Sequence, residues 1–440
     1  MSSGARYFID PFGCVKNQVD AENMMACLDS AGWSVSADAS EADLIIVNSC
    51  GFIESAKRES INAVLGWRKL YPGKKILLAG CLAQRYAKEL AESLPEADGF
   101  FGIDDITQIT KKANNISQRR NYSRKSLRLP SERPLLSMPG SAYVKISEGC
   151  DNRCTFCAIP LIRGPLRCRT VPDIFNECKG LLKRGVKELC IIGQDICSYN
   201  SEGQRLPELL EAIEKLPGDF WVRLLYMHPD HFPLSILKLM KRDPRFLPYF
   251  DIPFQHASQR ILAAMNRSGT ADDYLSLADT IRKRLPSAVI RSTFLVGFPG
   301  ETESDFSELL DFQEKLHPDW LGSFCYSRED GTPAYAIKGR VPKKTSVQRQ
   351  LEIEKRQVPI TEKSMDRFVN KCFNVLAEEY IPGEGAGREN FWLGRLFCHA
   401  PEIDGSAVIA VSGDNNISAG SFIPCRVIAR RGFDLEVKIN

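Results

Sequence analysis

Three cysteines, Cys150, Cys154 and Cys157, fall within eight residues, directly behind a strand-like run at 143–146. The run reads as a buried strand and the stretch SEGCDNRCTFC as the loop at its C-terminal end. Parallel α/β folds place their active sites at that edge. Three thiolates so close can hold three irons of a [4Fe–4S] cube, which normally takes four, so one iron is left open. A tetrahedral zinc site would need a fourth ligand, and structural zinc sites come as paired Cys-x2-Cys motifs. The spacing fits that pattern poorly.

The other cysteines gain meaning from the compartment. The chain has 440 residues and 15 cysteines. Residues 1–10 hold no basic stretch followed by an apolar one, so no secretory signal is expected. The longest apolar run, 76–83, is far short of the roughly 20 residues a bilayer crossing needs. A cytoplasmic protein with no membrane association is therefore expected, and its thiols stay reduced. Metal or cluster ligation then accounts for some cysteines and burial as small apolar side chains for the rest. The net charge of +3 excludes a polybasic nucleic-acid binder, though not a local basic patch.

The fold class is α/β, in several parts. Residues 1–110 alternate strands (7–9, 43–48, 75–79) with helices (20–31, 55–70, 84–94), which predicts a parallel sheet covered by helices. Residues 111–141 read as a basic linker: positions 111–133 carry eight Lys or Arg and one acid. The segment is either a solvated tether or a contact with ribosomal or transfer RNA. From 142 to 372 the alternation resumes, with strands at 143–146, 188–192, 221–226, 249–252, 289–296 and 322–326. Six strands favour an open (β/α)6 barrel over a closed eight-stranded one. Residues 375–440 hold short strands (407–411, 423–428, 435–439) between Gly, Asn and Asp turns, which predicts a small antiparallel β-barrel.

A second group of cysteines is dispersed. Cys14, Cys50 and Cys81 each follow a strand of the first domain, so one sheet edge gathers them. Each adjoins a glycine (Gly13, Gly51, Gly80), which lets backbone approach a bulky group closely. The bland alternative is three core cysteines.

The Cys-x3-Cys-x2-Cys loop resembles that of the radical S-adenosylmethionine (SAM) superfamily. The resemblance implies that SAM caps the open iron and that an electron from the cluster breaks its C5′–S bond. The resulting radical then abstracts hydrogen from an unactivated C–H bond. It also implies SAM contacts: Phe156 near the adenine, Gln194 and Asp195 at the methionyl amino group, and the Gly297–Glu301 turn at the adenine. Gln255 and His256, behind the strand at 249–252, hold an active-site position by geometry. Arg291 is a candidate for the SAM carboxylate, which a guanidinium can grip with two hydrogen bonds.

With their neighbours (GCVKNQVDAENM, NSCGFIESAKRESI), the dispersed cysteines resemble the N-terminal domain of the methylthiotransferase family. That resemblance spans nearly the whole chain and ends in a TRAM-like barrel. It implies a second [4Fe–4S] cluster on Cys14, Cys50 and Cys81, which holds or relays the sulfur to be inserted. It also implies two uses of SAM, as methyl donor and as radical source. One branch of the family modifies an adenosine of transfer RNA. The other replaces a β-carbon C–H of an aspartate with C–SCH3, on small-subunit ribosomal protein twelve, free or in the assembled small subunit. YFDIPFQHAS, YSREDGTPA and HAPEIDG look like the ribosomal-protein branch. So does the charge of 375–440, six basic against nine acidic residues, which suits a basic protein better than RNA. Two other readings stay open: the same chemistry on transfer RNA, and a non-catalytic iron–sulfur sensor on the ribosome. The sulfur and electron donors are not indicated. Pro11, shortly before Cys14, predicts an early end to the first strand.

Overall fold

The computed structural model describes residues 5–118, 132–383, 390–411 and 417–440. The stretch 119–131, with five of the eight basic residues of the expected linker, lies outside them. The chain divides into two compact units. One holds the residues up to Leu136 together with Glu148–Arg167 and Ser327–Tyr335. The other holds Ser137–Ser147, Cys168–Tyr326 and Ala336–Asn440. Among the described residues, no helix is long and apolar enough to cross a membrane.

The first unit is built on a five-stranded parallel sheet. In spatial order its strands are Ser34–Val35, Arg6–Pro11, Leu44–Ser49, Lys75–Gly80 and Gly99–Phe101. Leu44–Ser49 is buried at every position, because both faces of the sheet are covered. Tyr7, Leu44, Ile46 and Leu77 pack on one side with Met24 and Leu28 of the helix Val15–Ser30. Ile45, Val47, Ile76 and Leu78 pack on the other with Val64 of Glu54–Leu70 and Leu82 and Leu90 of Cys81–Ser93. Each such aliphatic side chain contributes roughly 1.5–3 kcal/mol.

Pro11 does not shorten the first strand, contrary to expectation. Phe12 N–H donates to Asn48 O at 3.0 Å, so the nitrogen of Pro11 faces the opposite side. The neighbour there, Ser34–Val35, pairs no further along than Tyr7, and no ladder bond is lost. The expected linker begins inside a helix, Ile109–Ile116. Of its basic residues, Arg133 is buried, with Nε 2.7 Å from the Glu22 carboxylate.

The second unit carries a six-stranded parallel sheet. Its strands lie in sequence order: Ser141–Lys145, Glu188–Ile192, Trp221–Leu224, Phe246–Asp251, Val289–Val296 and Trp320–Cys325. The sheet is open. A long helix, Lys343–Asp366, then leads to a closed five-stranded barrel. The barrel starts at Cys372 and includes two strands that the sequence pattern did not reveal, Cys372–Ile381 and Asn390–Arg395. Its pairs are antiparallel except Ala407–Val411 against Asp434–Ile439, which run parallel.

Buried polar contacts tie the barrel to the N-terminal ends of the sheet strands. Glu188 accepts from Arg223 Nε at 2.7 Å and from Arg395 Nη2 at 2.5 Å. Tyr249 donates to Asp404 at 2.6 Å, and Trp320 Nε1 to Cys398 O at 2.9 Å. The C-terminal ends of the same strands carry the loops of interest.

Candidate cluster sites

The strand order of the first unit has a switch point. The helix after Arg6–Pro11 covers one face, and the helix after the adjacent Leu44–Ser49 covers the other. In open parallel sheets this divergence opens a crevice at the carboxyl ends of the strands. Cys14 and Cys50 follow these two strands, and Cys81 follows the next, Lys75–Gly80. Cys14 is the N-cap of Val15–Ser30, and Cys81 opens Cys81–Ser93, so both lie at the positive ends of helices.

The glycines set how closely these segments approach. A Cβ on Gly13 would lie 3.0 Å from Cys50 Cβ, and one on Gly51 would lie 2.8 Å from Cys81 O. Gly80, at φ +97°, would place one 2.6 Å from Ser49 O. The Cys50 and Cys81 segments therefore touch backbone to backbone, and Gly13 packs against the Cys50 side chain.

Asn17 joins them. Its Oδ1 is 3.2 Å from Cys81 Sγ and 3.9 Å from Cys14 Sγ. Cys50 N–H donates to Ser60 Oγ at 3.1 Å. Burial pushes the Cys81 thiol up to about 12, against the pull of the Arg163 guanidinium, and burial also raises Cys50. These thiols stay protonated until a metal displaces the proton.

Among the described residues, no three Cys, His, Asp or Glu side chains close around one point that a single metal ion could occupy. A zinc ion would need its sulfurs about 2.3 Å from one centre. An iron–sulfur cube spreads its thiolates over separate irons. The donor set fits that group: three thiols at a crevice, glycine-tight backbone and a buried cation beside them.

The Cys150–Cys157 loop belongs to the same unit. Gly149, at φ +73°, brings its Cα against Pro165 O, where a Cβ would sit at 2.1 Å. Cys150 N–H donates to Gly164 O at 3.2 Å, and Cys157 N–H donates to Cys154 O at 3.0 Å. All three cysteines are partly exposed. Three thiols on one short, pinned loop, open to solvent, fit a cluster that must admit a ligand. Phe156 is half-buried on this loop.

Arg163 ends the short helix that follows, and its guanidinium is buried against Asn17, Asp20, Cys81 and Glu148. Sequence reasoning missed Arg163, Asn17 and Asp20. The available signal was three polar residues within six positions of a candidate cysteine, Asn17 and Asp20 after Cys14 and Arg163 after Cys157. It also missed Glu329, whose buried carboxylate meets Arg85 at 2.8 Å and Lys57 at 3.0 Å.

In the second unit the expected SAM residues separate. Gln194 and Gln255 follow the C-terminal ends of their strands and are partly exposed. Gln255 has φ +70°, and its backbone is pinned to Thr293 O and Leu295 N–H, both at 2.8 Å. Such strained non-glycine backbone clusters at functional sites. Asp195 lies in the same edge, but its carboxylate accepts from Cys197 N–H at 2.9 Å and His228 N–H at 3.2 Å. It caps its own turn. Glu301 accepts from Phe298 N–H at 3.0 Å and Arg349 Nη1 at 2.8 Å. Gly297 faces Ser346, which a Cβ would meet at 2.1 Å. The Gly297–Glu301 turn is thus buttressed by the helix Lys343–Asp366. His256 is buried, and burial lowers it to about 3, so it is neutral.

Arg291 is placed otherwise than expected. It lies near the start of Val289–Val296, at the N-terminal edge of the sheet. Nη1 meets Asp251 at 3.0 Å and Nε meets Asp404 of the barrel segment at 3.7 Å. It stands at the opposite end of the strands from Gln194 and Gln255.

The comparisons agree with this architecture. Residues 6–102 match an uncharacterized protein family, UPF0004; 144–312 match the radical SAM superfamily; 369–439 match the TRAM domain. The chain is 46% identical to the ribosomal protein uS12 methylthiotransferase RimO of Treponema denticola, over 97% of this chain and 99% of the relative. The same enzyme of Carboxydothermus hydrogenoformans is 40% identical over 98% of each chain. That of Thermotoga maritima is 38% identical over 98% and 99%. Among solved structures, the radical SAM methyltransferase TsrM of Kitasatospora setae superposes with a TM-score of 0.56 at 15% identity, covering 76% and 77% of the two chains. It speaks to the fold alone.

Proposed function

The chain belongs to the RimO family of radical SAM methylthiotransferases, and from that premise we propose which residues carry the reaction and on what substrate. Cys150, Cys154 and Cys157 hold a [4Fe–4S] cluster with one iron open to SAM. Cys14, Cys50 and Cys81 hold a second one. The reaction replaces a β-carbon C–H of an aspartate in ribosomal protein uS12 with C–SCH3. When bound, the clusters and SAM supply the electron, the hydrogen-abstracting radical, the sulfur and the methyl group.

The chain's own residues bind and orient. Gly149 and Gly164 fold the Cys150 loop back on itself, and the Cys154–Cys157 turn spaces the thiols. The proposed SAM contacts are Phe156 in the first unit and Gln194, Gln255 and the Gly297 turn in the second. Asp195 and Glu301 hold those loops in shape with hydrogen bonds to their own backbone. Arg291 is not among the proposed contacts: its guanidinium pairs with Asp251 and Asp404.

The observation that carries this reading is the convergence of Cys14, Cys50 and Cys81 at the switch point of one sheet, in a unit that also holds the Cys150 loop. A basic protein partner is supported by the acidic C-terminal barrel, several of whose cations are already paired with carboxylates. Arg395 is buried on Glu188 and Glu378, and Arg430 pairs with Glu362 and Asp366.

The test is a pair of cysteine variants. Cys154→Ala should abolish reductive SAM cleavage; full cleavage by that variant would remove the radical role of the loop. Cys50→Ala should keep cleavage, lose half the iron and stop sulfur insertion. Unchanged methylthiolation would remove the second site.

A further inference from the structure

We propose that Arg163 is a positioning residue for the second cluster. It donates an N–H···S hydrogen bond to the Cys81 thiolate, raises that cluster's reduction potential and locks the Cys150 loop to the sheet edge that carries Cys81. The proposal rests on the reading that Cys14, Cys50 and Cys81 hold a [4Fe–4S] cluster.

The geometry is specific. Arg163 is 2% exposed. Nη1 is 2.7 Å from Glu148 Oε1. Nη2 is 2.8 Å from Asn17 Oδ1, 2.9 Å from Asp20 Oδ2 and 3.1 Å from Cys81 Sγ. One guanidinium nitrogen with two hydrogens thus faces three acceptors.

The surplus has a use. As a thiol, Cys81 donates to Asn17 Oδ1 at 3.2 Å, and the two Nη2 hydrogens serve the oxygens. As a thiolate, Cys81 only accepts. The two hydrogens then go to the two anions, Asp20 and Cys81, since charge-assisted bonds are the stronger ones. No backbone needs to move. A lysine offers a point charge without the planar fork that reaches Glu148 and Cys81 together.

Two consequences follow from chemistry alone. A cation and an N–H donor at a cluster sulfur favour the reduced, more negative form, so the potential rises. Arg163 also follows Cys157 by six positions, and the next residue, Gly164, holds Cys150 N–H through its carbonyl. One side chain thereby fixes the loop of the SAM-binding cysteines to a ligand of the other cluster.

The experiment uses the full chain with Cys150, Cys154 and Cys157 changed to Ala, so that only the second cluster can assemble. Iron content, the electron paramagnetic resonance signal after reduction and the midpoint potential are measured with Arg163, Arg163→Met and Arg163→Lys. With Arg163 present, one cluster per chain is expected. Arg163→Lys should shift the potential to more negative values, and Arg163→Met should shift it further. Should Arg163→Met fail to fold, Arg163→Lys decides. As a control, Arg68→Lys removes a guanidinium that hydrogen-bonds Glu96 O and Asp98 in the same unit. It should lower the melting temperature and leave the potential unmoved. A native-like potential in Arg163→Lys would overturn the proposal while leaving the cluster assignment intact. Absence of a cluster with Arg163 present would overturn that assignment and the proposal with it.

Discussion

Asn17 and Asn48 are cross-linked at the switch point of the N-terminal sheet. Asn48 Nδ2 donates to the Asn17 carbonyl at 2.8 Å, and Asn17 Nδ2 donates to the carbonyl of Ser49, next to Asn48, also at 2.8 Å. The pair clamps the helix behind Cys14 to the strand before Cys50. Both side chains are buried. Asn48→Ala strands buried groups and should cost about 1–3 kcal/mol. Melting temperature should fall, and a chelator should strip iron from the second site faster than from the first. Equal loss from both sites would deny the clamp.

Gly80 gives a sharper steric test. Its φ of +97° disfavours any L side chain, and the clash is with Ser49 backbone, which cannot swing away. Gly80→Ala should cost about 1–3 kcal/mol or more and lose the second cluster while SAM cleavage persists. Gly73→Ala, with nothing within 4 Å, is the matched control and should change neither.

Arg291 separates stability from SAM binding. Arg291→Met leaves Asp251 and Asp404 without their cation. Breaking a buried pair this way costs roughly 3–5 kcal/mol. The melting temperature should drop while KM for SAM stays at the native value. A large rise in KM would restore the carboxylate-binding role that the sequence suggested.

The junction of sheet and barrel should weaken in acid. Burial pushes the Glu188 carboxyl up, but Arg395 and Arg223 outweigh it and hold it at about 2 against an ordinary 4.5. A depressed carboxyl contributes stability that is full above pH 4.5 and is lost as pH falls toward 2. At about 1.4 kcal/mol per unit, roughly 3 kcal/mol is at stake. Glu188→Gln should flatten that part of the stability–pH curve and lower stability at neutral pH. Denaturant midpoints measured across the window check both.

Much of this was legible in the residues. Unbroken apolar runs such as Leu44–Val47 mark buried parallel strands, and a cysteine after each marks one sheet edge. The spacing of the Cys150 loop suggested a three-thiolate cluster, and its resemblance to the radical SAM superfamily implied the rest. What escaped was decided by tertiary partners. Arg291 reads as a carboxylate binder, and the carboxylate it meets in the structure is Asp404, over a hundred residues later. Asp195 and Glu301 read as ligand contacts; in the structure Asp195 accepts from Cys197 and His228 N–H, and Glu301 from Phe298 N–H and Arg349. Arg163 carries no motif, and its meaning comes from Cys81, 82 positions away. The barrel strand Cys372–Ile381 was hidden because its exposed ends break the alternation that marks a strand.

The most direct test of the central claim is mass spectrometry after anaerobic turnover of the reconstituted enzyme with SAM, a reductant and sulfide. Ribosomal protein uS12 is supplied in one reaction and transfer RNA in another. The account predicts a methylthio mass gain on an aspartate of the protein and none on the RNA. A gain on the RNA alone would keep the chemistry and contradict the substrate, and with it the argument from the acidic barrel.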